Sequence, residues 1–215
     1  MGKLIVFEGI DGSGKSTQFK LVCENLEKMG VPFRKIVFPR YTEDSSMLIR
    51  MYLGGAFGSS QDAVNAYAAS TFFAVDRYAS FKTDWEKDYL AGVPIICDRY
   101  TTSNAVHQAA KLPADQVDGF LNWLFDYEYN LLGIPAPSKV FFLDMPSALT
   151  FDLLKKRQGD SGDIHELDHE YLIRCRENAN SVCDKLGWMR ISCAEKGGLR
   201  TPEQINADIM RMILE

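Results

Sequence analysis

The sequence predicts an α/β fold of three layers, a five-stranded parallel sheet flanked on both faces by helices. Three observations carry this. Short, nearly all-apolar runs recur along the 215 residues, as strands buried on both faces do. Longer stretches with apolar residues at helical spacing lie between them. The two kinds alternate along the chain, the order that crossover connections in a parallel sheet produce.

Residues 3–8 (KLIVFE) form the first apolar run, and 16–28 follow with Phe19, Val22, Cys23 and Leu26 on one helical face. A second strand is expected at 33–38. Helices are expected at 43–54 and 61–90, separated by the glycine-bearing stretch 54–58. Strands three and four fall at 93–97 (VPIIC) and 139–143 (KVFFL), with helices over 101–110, 114–131 and 146–157, and a fifth strand at 188–192. Thr201 is placed to cap the last helix, with Pro202 at its first position and Glu203 and Gln204 in its first turn. The chain reads as one domain over 1–215. Its polar, glycine-bearing stretch 158–163, behind Lys155, Lys156 and Arg157, suggests a short mobile lid over 155–166.

Composition narrows the partners. A net charge of -5 argues against a general nucleic-acid surface, which needs a basic face. No apolar run approaches the roughly 18 residues that cross a bilayer, and the first strand begins too near Met1 for a signal peptide. The five cysteines are odd in number and none is spaced as C-x-x-C, so reduced thiols in a cytoplasmic protein are expected.

The connection between the first strand and helix carries the chemistry. Gly9 to Ser16 reads GIDGSGKS and matches G-x-x-x-x-G-K-[ST] between a strand and a helix, where that pattern has physical meaning. Backbone N–H groups and the helix dipole converge there on an anion. Gly9, Asp11, Gly12, Ser13, Gly14, Lys15, Ser16 and Thr17 are the candidate ATP-binding residues. Lys15 reaches the β- and γ-phosphates and the Ser16 hydroxyl ligates Mg²⁺. The base-reading motif N-K-x-D of GTPases is absent. Arginines and aromatics gather after the other strands: Phe38-Pro39-Arg40-Tyr41, Phe73 and Arg77 four residues apart, Asp98-Arg99-Tyr100, then Ser103 and Asn104. They suit a second ligand that is planar and phosphorylated, since arginine grips phosphate bidentately and an aromatic ring stacks on a base.

The motifs FEGIDGSGKST, FPRY, FFAVDR and DRYTTSNAVHQAAKL, in this order and spacing, resemble those of thymidylate kinases, most densely over 4–41, 68–78 and 93–111. The resemblance implies a P-loop kinase fold and transfer of the ATP γ-phosphoryl group to dTMP with Mg²⁺. It implies that Asp11 holds the acceptor sugar and helps place the metal. Arg40 and Arg99 would grip the acceptor phosphate, with Arg99 also near the phosphoryl in flight. Phe73 would stack on thymine, beside Phe38 and Ser103, and Arg77 and Asn104 would read its polar edge. Asp98 would support the Mg²⁺ shell. His107 stands where relatives often carry a tyrosine beside the sugar. Gly12 stands where some relatives carry an arginine, which passes that charge to the lid, with Arg157 the first candidate and Lys155 and Lys156 behind it. A homodimer is expected by resemblance alone. Another deoxynucleotide or deoxynucleoside kinase, or a non-catalytic nucleotide-binding switch, remain alternatives. His165-Glu166-Leu167-Asp168-His169 matches the zinc-protease pattern H-E-x-x-H, but Asp168 occupies a position usually apolar there, so a solvated helix beside the lid is the reading preferred.

Overall fold

The chain is described from a computed structural model, which covers residues 2–58, 60–146, 150, 169–195 and 198–215. Five parallel strands form one sheet: β1 (Leu4–Glu8), β2 (Arg34–Val37), β3 (Ile95–Asp98), β4 (Lys139–Asp144) and β5 (Met189–Ser192). Their spatial order is β2-β3-β1-β4-β5, so β1 lies between strands reached in opposite directions along the sheet. Open α/β sheets bind ligands at such a reversal, outside the carboxyl ends of the strands. Pairing of Phe7 with Asp98 sets the ends of β1 and β3 side by side there.

Strand alternation explains the two-sided core. Ile5 and Phe7 face one side with Ile96, Phe141, Leu143 and Ile191, under helices α1 (Lys15–Lys28) and α8 (Pro202–Leu214). Leu4 and Val6 face the other with Ile95, Cys97 and Val140, against Phe81, Trp85 and Tyr100. The central strands β1, β3 and β4 are mostly apolar because both their faces are covered, which is why they were legible as runs, whereas the edge strands β2 and β5 carry exposed Lys35 and Arg190. Thr201 caps α8 with a reciprocal capping box, its hydroxyl accepting from the Gln204 N–H and the Gln204 side chain accepting from the Thr201 N–H. All five cysteines are buried and free.

The helices depart from expectation where side chains compete with the helical pattern. The stretch expected at 43–54 opens with a 3₁₀ turn before α2 (Met47–Leu53). The single helix expected at 61–90 is broken: Val64 and Asn65 are extended, and the Asn65 side chain accepts from the Ala68 N–H, starting α3 (Ala66–Ser80) afresh. A π turn at Phe81–Trp85 then joins α3 to α4 (Glu86–Leu90), with both Phe81 and Trp85 in the core. Likewise α5 (Thr101–His107) ends early, and α6 (Ala114–Phe125) runs into a π turn at Asp126–Leu131. The solvated helix expected at 165–169 was the only one read in this part of the sequence, and α7 (His169–Leu186) runs far beyond it with a buried face. Its buried stripe is Tyr171, Leu172, Cys175, Ala179, Val182 and Cys183, correctly spaced but built largely of small residues amid charge. A short antiparallel pair, Ala194–Glu195 with Gly198–Leu199, was also unanticipated. The lid at 155–166, and most of the helix expected at 146–157, lie outside the described residues.

Lys111 ties α2 to the start of α3. Its ammonium donates to the Tyr52 hydroxyl (2.6 Å) and the Val64 carbonyl (3.2 Å). Burial pushes its pKa down to about 8, against a partial upward pull from Asp62. The unfolded chain then holds this proton at pH values where the folded chain has released it, so the Lys111 contribution to stability rises from about pH 8 to about pH 10.5. Lys111→Met is expected to flatten that rise. Melting curves of both proteins across the window check it, and parallel profiles would refute it.

Candidate active site

Residues 9–14 turn the chain from β1 into α1. A Cβ on Gly9 would lie 2.4 Å from the Ser13 hydroxyl oxygen, so no side chain fits, and Gly14 caps α1 at φ +82°. Lys15 is thus the first helical residue. Its ammonium pairs with Asp98 at 2.7 Å, and the Ser16 hydroxyl donates to the other Asp98 oxygen at 3.0 Å. Burial lowers the Lys15 pKa, repulsion from Arg99 lowers it further, and Asp98 and Asp11 pull back.

Arg99 leaves β3 in the left-handed region, at φ +66°, the one non-glycine residue there among those described. Such a conformation costs energy and is held by its surroundings. The Arg99 N–H donates to the Phe7 carbonyl (3.1 Å). Its guanidinium pairs with Asp11 and donates to His107 Nε2 at 3.0 Å. Since arginine only donates, that nitrogen accepts and the imidazole is the neutral Nδ1–H tautomer. Burial alone would lower the Arg99 pKa, but Asp11, Glu8 and Asp98 outweigh it and raise it.

Two acidic residues that sequence reasoning passed over anchor this corner. Glu8 is fully buried, with its carboxylate accepting from Thr102 Oγ1 (2.6 Å), Ser103 Oγ (2.8 Å) and, at 3.3 Å, the Tyr100 N–H. Burial raises its pKa, and Arg99 and the two hydroxyls restrain the rise. Glu128, in the π turn after α6, is fully buried and takes Arg77 side-on, accepting from Nε and Nη2 at 2.6 Å each. The surface pairing of Arg77 with Asp84 or Glu86, which spacing allowed, does not occur: Arg77 is 2% exposed. Glu8 carried one signal, a charge closing an otherwise apolar strand next to a glycine loop. Glu128 carried none.

A cavity of about 580 Å³ joins these groups. Its wall contains Asp11 to Thr17 at one part, and Phe38, Phe73, Arg77, Asp98, Arg99, Ser103, Asn104 and His107 elsewhere. Phe73 meets Tyr52 edge-on at 6.4 Å, and Asn104 donates to the Ser70 carbonyl at 3.3 Å. Two expected residues stand apart from the wall. Gly9 opens the loop but is not part of the wall. Arg40 turns away, its Nε on Asp76 (3.3 Å) and Nη2 on Ser45 (3.1 Å), while its neighbours Pro39 and Tyr41 line the cavity. Asp11, expected near metal and sugar, has its carboxylate on Arg99. Arg157, Lys155, Lys156 and the His165–Glu166 part of H-E-x-x-H lie outside the described residues.

Among the described residues no cluster of three or more His, Cys, Asp or Glu could hold a metal. Magnesium does not need one, since it keeps waters and uses one or two protein oxygens plus phosphates. The Ser16 hydroxyl and the Asp98 carboxylate, 3.0 Å apart beside the phosphate loop, are oxygens of the kind such a site uses.

Residues 7–205 match the thymidylate kinase family model. The chain belongs to the thymidylate kinase family. Within the family, the thymidylate kinase of Plasmodium falciparum is 29% identical over 67% of this chain and 62% of its own length. A probable thymidylate kinase of Pyrococcus horikoshii is 31% identical over 99% of this chain and 96% of its own. A solved structure of thymidylate kinase from Candida albicans superposes with a TM-score of 0.73 over 99% of this chain and 91% of that one; at 22% identity it speaks for the fold.

Proposed function

We propose that this chain transfers the γ-phosphoryl group of ATP to dTMP, giving dTDP for dTTP synthesis. The observation that carries the reading is one cavity whose wall holds both the phosphate loop and the aromatic and amide groups suited to a base. Its volume, about 580 Å³, falls within the range of small-molecule sites. A switch has no use for that second set, and an acceptor without a phosphate would leave Arg99 little to grip.

Lys15 and Arg99 supply fixed positive charge for the phosphoryl in flight, in the loose in-line transfer typical of such enzymes. Ser16 and Asp98 would hold Mg²⁺, which would supply charge neutralisation to the phosphates. Asp11 meets the acceptor sugar with His107 beside it, Phe73 stacks on thymine with Phe38 and Ser103 nearby, and Arg77 and Asn104 read the base edge. Arg40 joins the phosphate grip only by turning from Asp76. Arg157 remains the lid cation argued from sequence, in a single domain over 1–215. We place the enzyme in the cytoplasm, a reducing compartment that suits five free buried thiols. We also propose a homodimer: Met47, Leu48 and Met51 on α2 and Tyr67, Val75 and Tyr78 on α3 are exposed apolar residues. Light scattering at twice the chain mass checks it.

ADP release across a panel of nucleoside monophosphates tests the main reading, with dTMP expected to lead. In the same assay Phe73→Ala should weaken dTMP binding by about 1–3 kcal/mol, one stacked base, with ATP affinity unchanged. No turnover of any monophosphate by the parent enzyme would refute the kinase reading. Equal losses for every nucleotide in the variant would take Phe73 off the base.

A further inference from the structure

Arg77 carries a base-edge role in the proposed reaction, and the way it is held goes further. A guanidinium has five N–H groups. Glu128 accepts from Nε and Nη2 at 2.6 Å each, so one full side of the fork is spent. Thr101 Oγ1 donates to the same carboxylate at 2.8 Å, which fixes the carboxylate as well. What remains on Arg77 is the Nη1 group and the second N–H of Nη2. Nη1 makes only a long contact, 3.4 Å, to the Tyr100 carbonyl. Arg77 is otherwise buried and is part of the cavity wall, so the end of its fork, Nη1 and Nη2, carries the donors that Glu128 leaves over.

Stability does not account for this arrangement. Two charges taken out of water recover their desolvation cost poorly, and an apolar pair of the same volume usually holds a core as well or better. Glu128 also enters the core on a π turn, a distortion common at functional sites. We infer that Glu128 is a specificity-determining positioning residue of this enzyme: by holding one side of Arg77 it fixes the remaining donors of the fork at the pyrimidine 4-position. A keto oxygen, as in thymine, accepts from them; an exocyclic amino group, as in cytosine, meets donor with donor. The inference rests on the proposed dTMP kinase reading.

The test uses the purified full chain, with dTMP and dCMP turnover measured alongside calorimetric dTMP binding. In Glu128→Gln the amide presents an NH₂ to a fork that only donates, so Arg77 loses its fixed setting. KM for dTMP is expected to rise about tenfold, the worth of one charged hydrogen bond, with KM for ATP and saturating kcat within about twofold. The dTMP-to-dCMP ratio of kcat/KM should fall with it, which a merely structural role would not produce. The double variant Arg77→Ala with Glu128→Gln should bind dTMP no worse than Arg77→Ala alone. Unchanged dTMP binding in folded Glu128→Gln, equal losses for ATP and dTMP, or a further loss in the double variant would each overturn the inference. If Glu128→Gln does not fold, Thr101→Val keeps the ion pair and frees the carboxylate; a smaller fall in the same ratio is expected, and an unchanged ratio overturns the inference. A parent enzyme that binds dTMP without phosphorylating it would instead fail the kinase reading alone.

Discussion

Lys15→Ala is expected to abolish phosphoryl transfer, lowering kcat by a factor of about 10³ or more, in a protein that still folds. The two halves of that expectation have one cause. Lys15 is paired with Asp98 in a place where burial and Arg99 both disfavour its charge, so its side chain is a poor contributor to the fold and a strong one to a bound phosphate. Its partner Asp98 keeps the Ser16 hydroxyl and borders the cavity, where water can replace the lost ammonium. Steady-state ADP release measures the first half and thermal unfolding the second. Near-normal turnover would refute the kinase reading, and loss of cooperative unfolding would show that Lys15 supports the fold.

Arg99→Gly is the second large effect, and it separates charge from backbone. Arg99 sits at φ +66°, which glycine adopts freely, so the variant relieves strain while deleting the guanidinium. Asp11 and His107 Nε2 lose their shared cation. We expect kcat to fall about 10³-fold or more with little change in melting temperature, whereas Arg99→Ala should lose activity similarly and melt lower. Comparison of the two melting curves checks the strain. Retained activity in Arg99→Gly would remove this residue from the transfer step.

The middle of the sheet was legible because β1, β3 and β4 are covered on both faces, which leaves mostly apolar side chains to read in runs such as 93–97 and 139–143. The phosphate loop was legible because its demands are local: glycine where φ is positive, lysine and serine where the helix begins. What escaped was non-local or locally ambiguous. Asn65 is an ordinary polar residue until its side chain is seen to stop one helix pattern and start another. The stripe of α7 uses Cys175, Ala179 and Cys183, residues too small to raise an apolar signal among charged residues of both signs. Glu128 meets Arg77 across 51 residues of sequence, and no spacing rule connects a helix to a π turn at that distance. Arg40 stands in the expected motif, yet Asp76, which shares its motif with Arg77, captures it.

Each arginine or lysine assigned to ligand binding among the described residues already has a resident counter-ion: Lys15 has Asp98, Arg40 has Asp76, Arg77 has Glu128, and Arg99 has Asp11. The site is therefore close to self-neutral before any nucleotide arrives. A simple anion such as inorganic phosphate gains little by entering, because it must compete with a carboxylate already in place. A nucleotide enters with a stacking face and several anchor points at once, and only that combined grip outbids the internal pairs. The built-in carboxylates thus act as a threshold that filters whole substrates from loose phosphate.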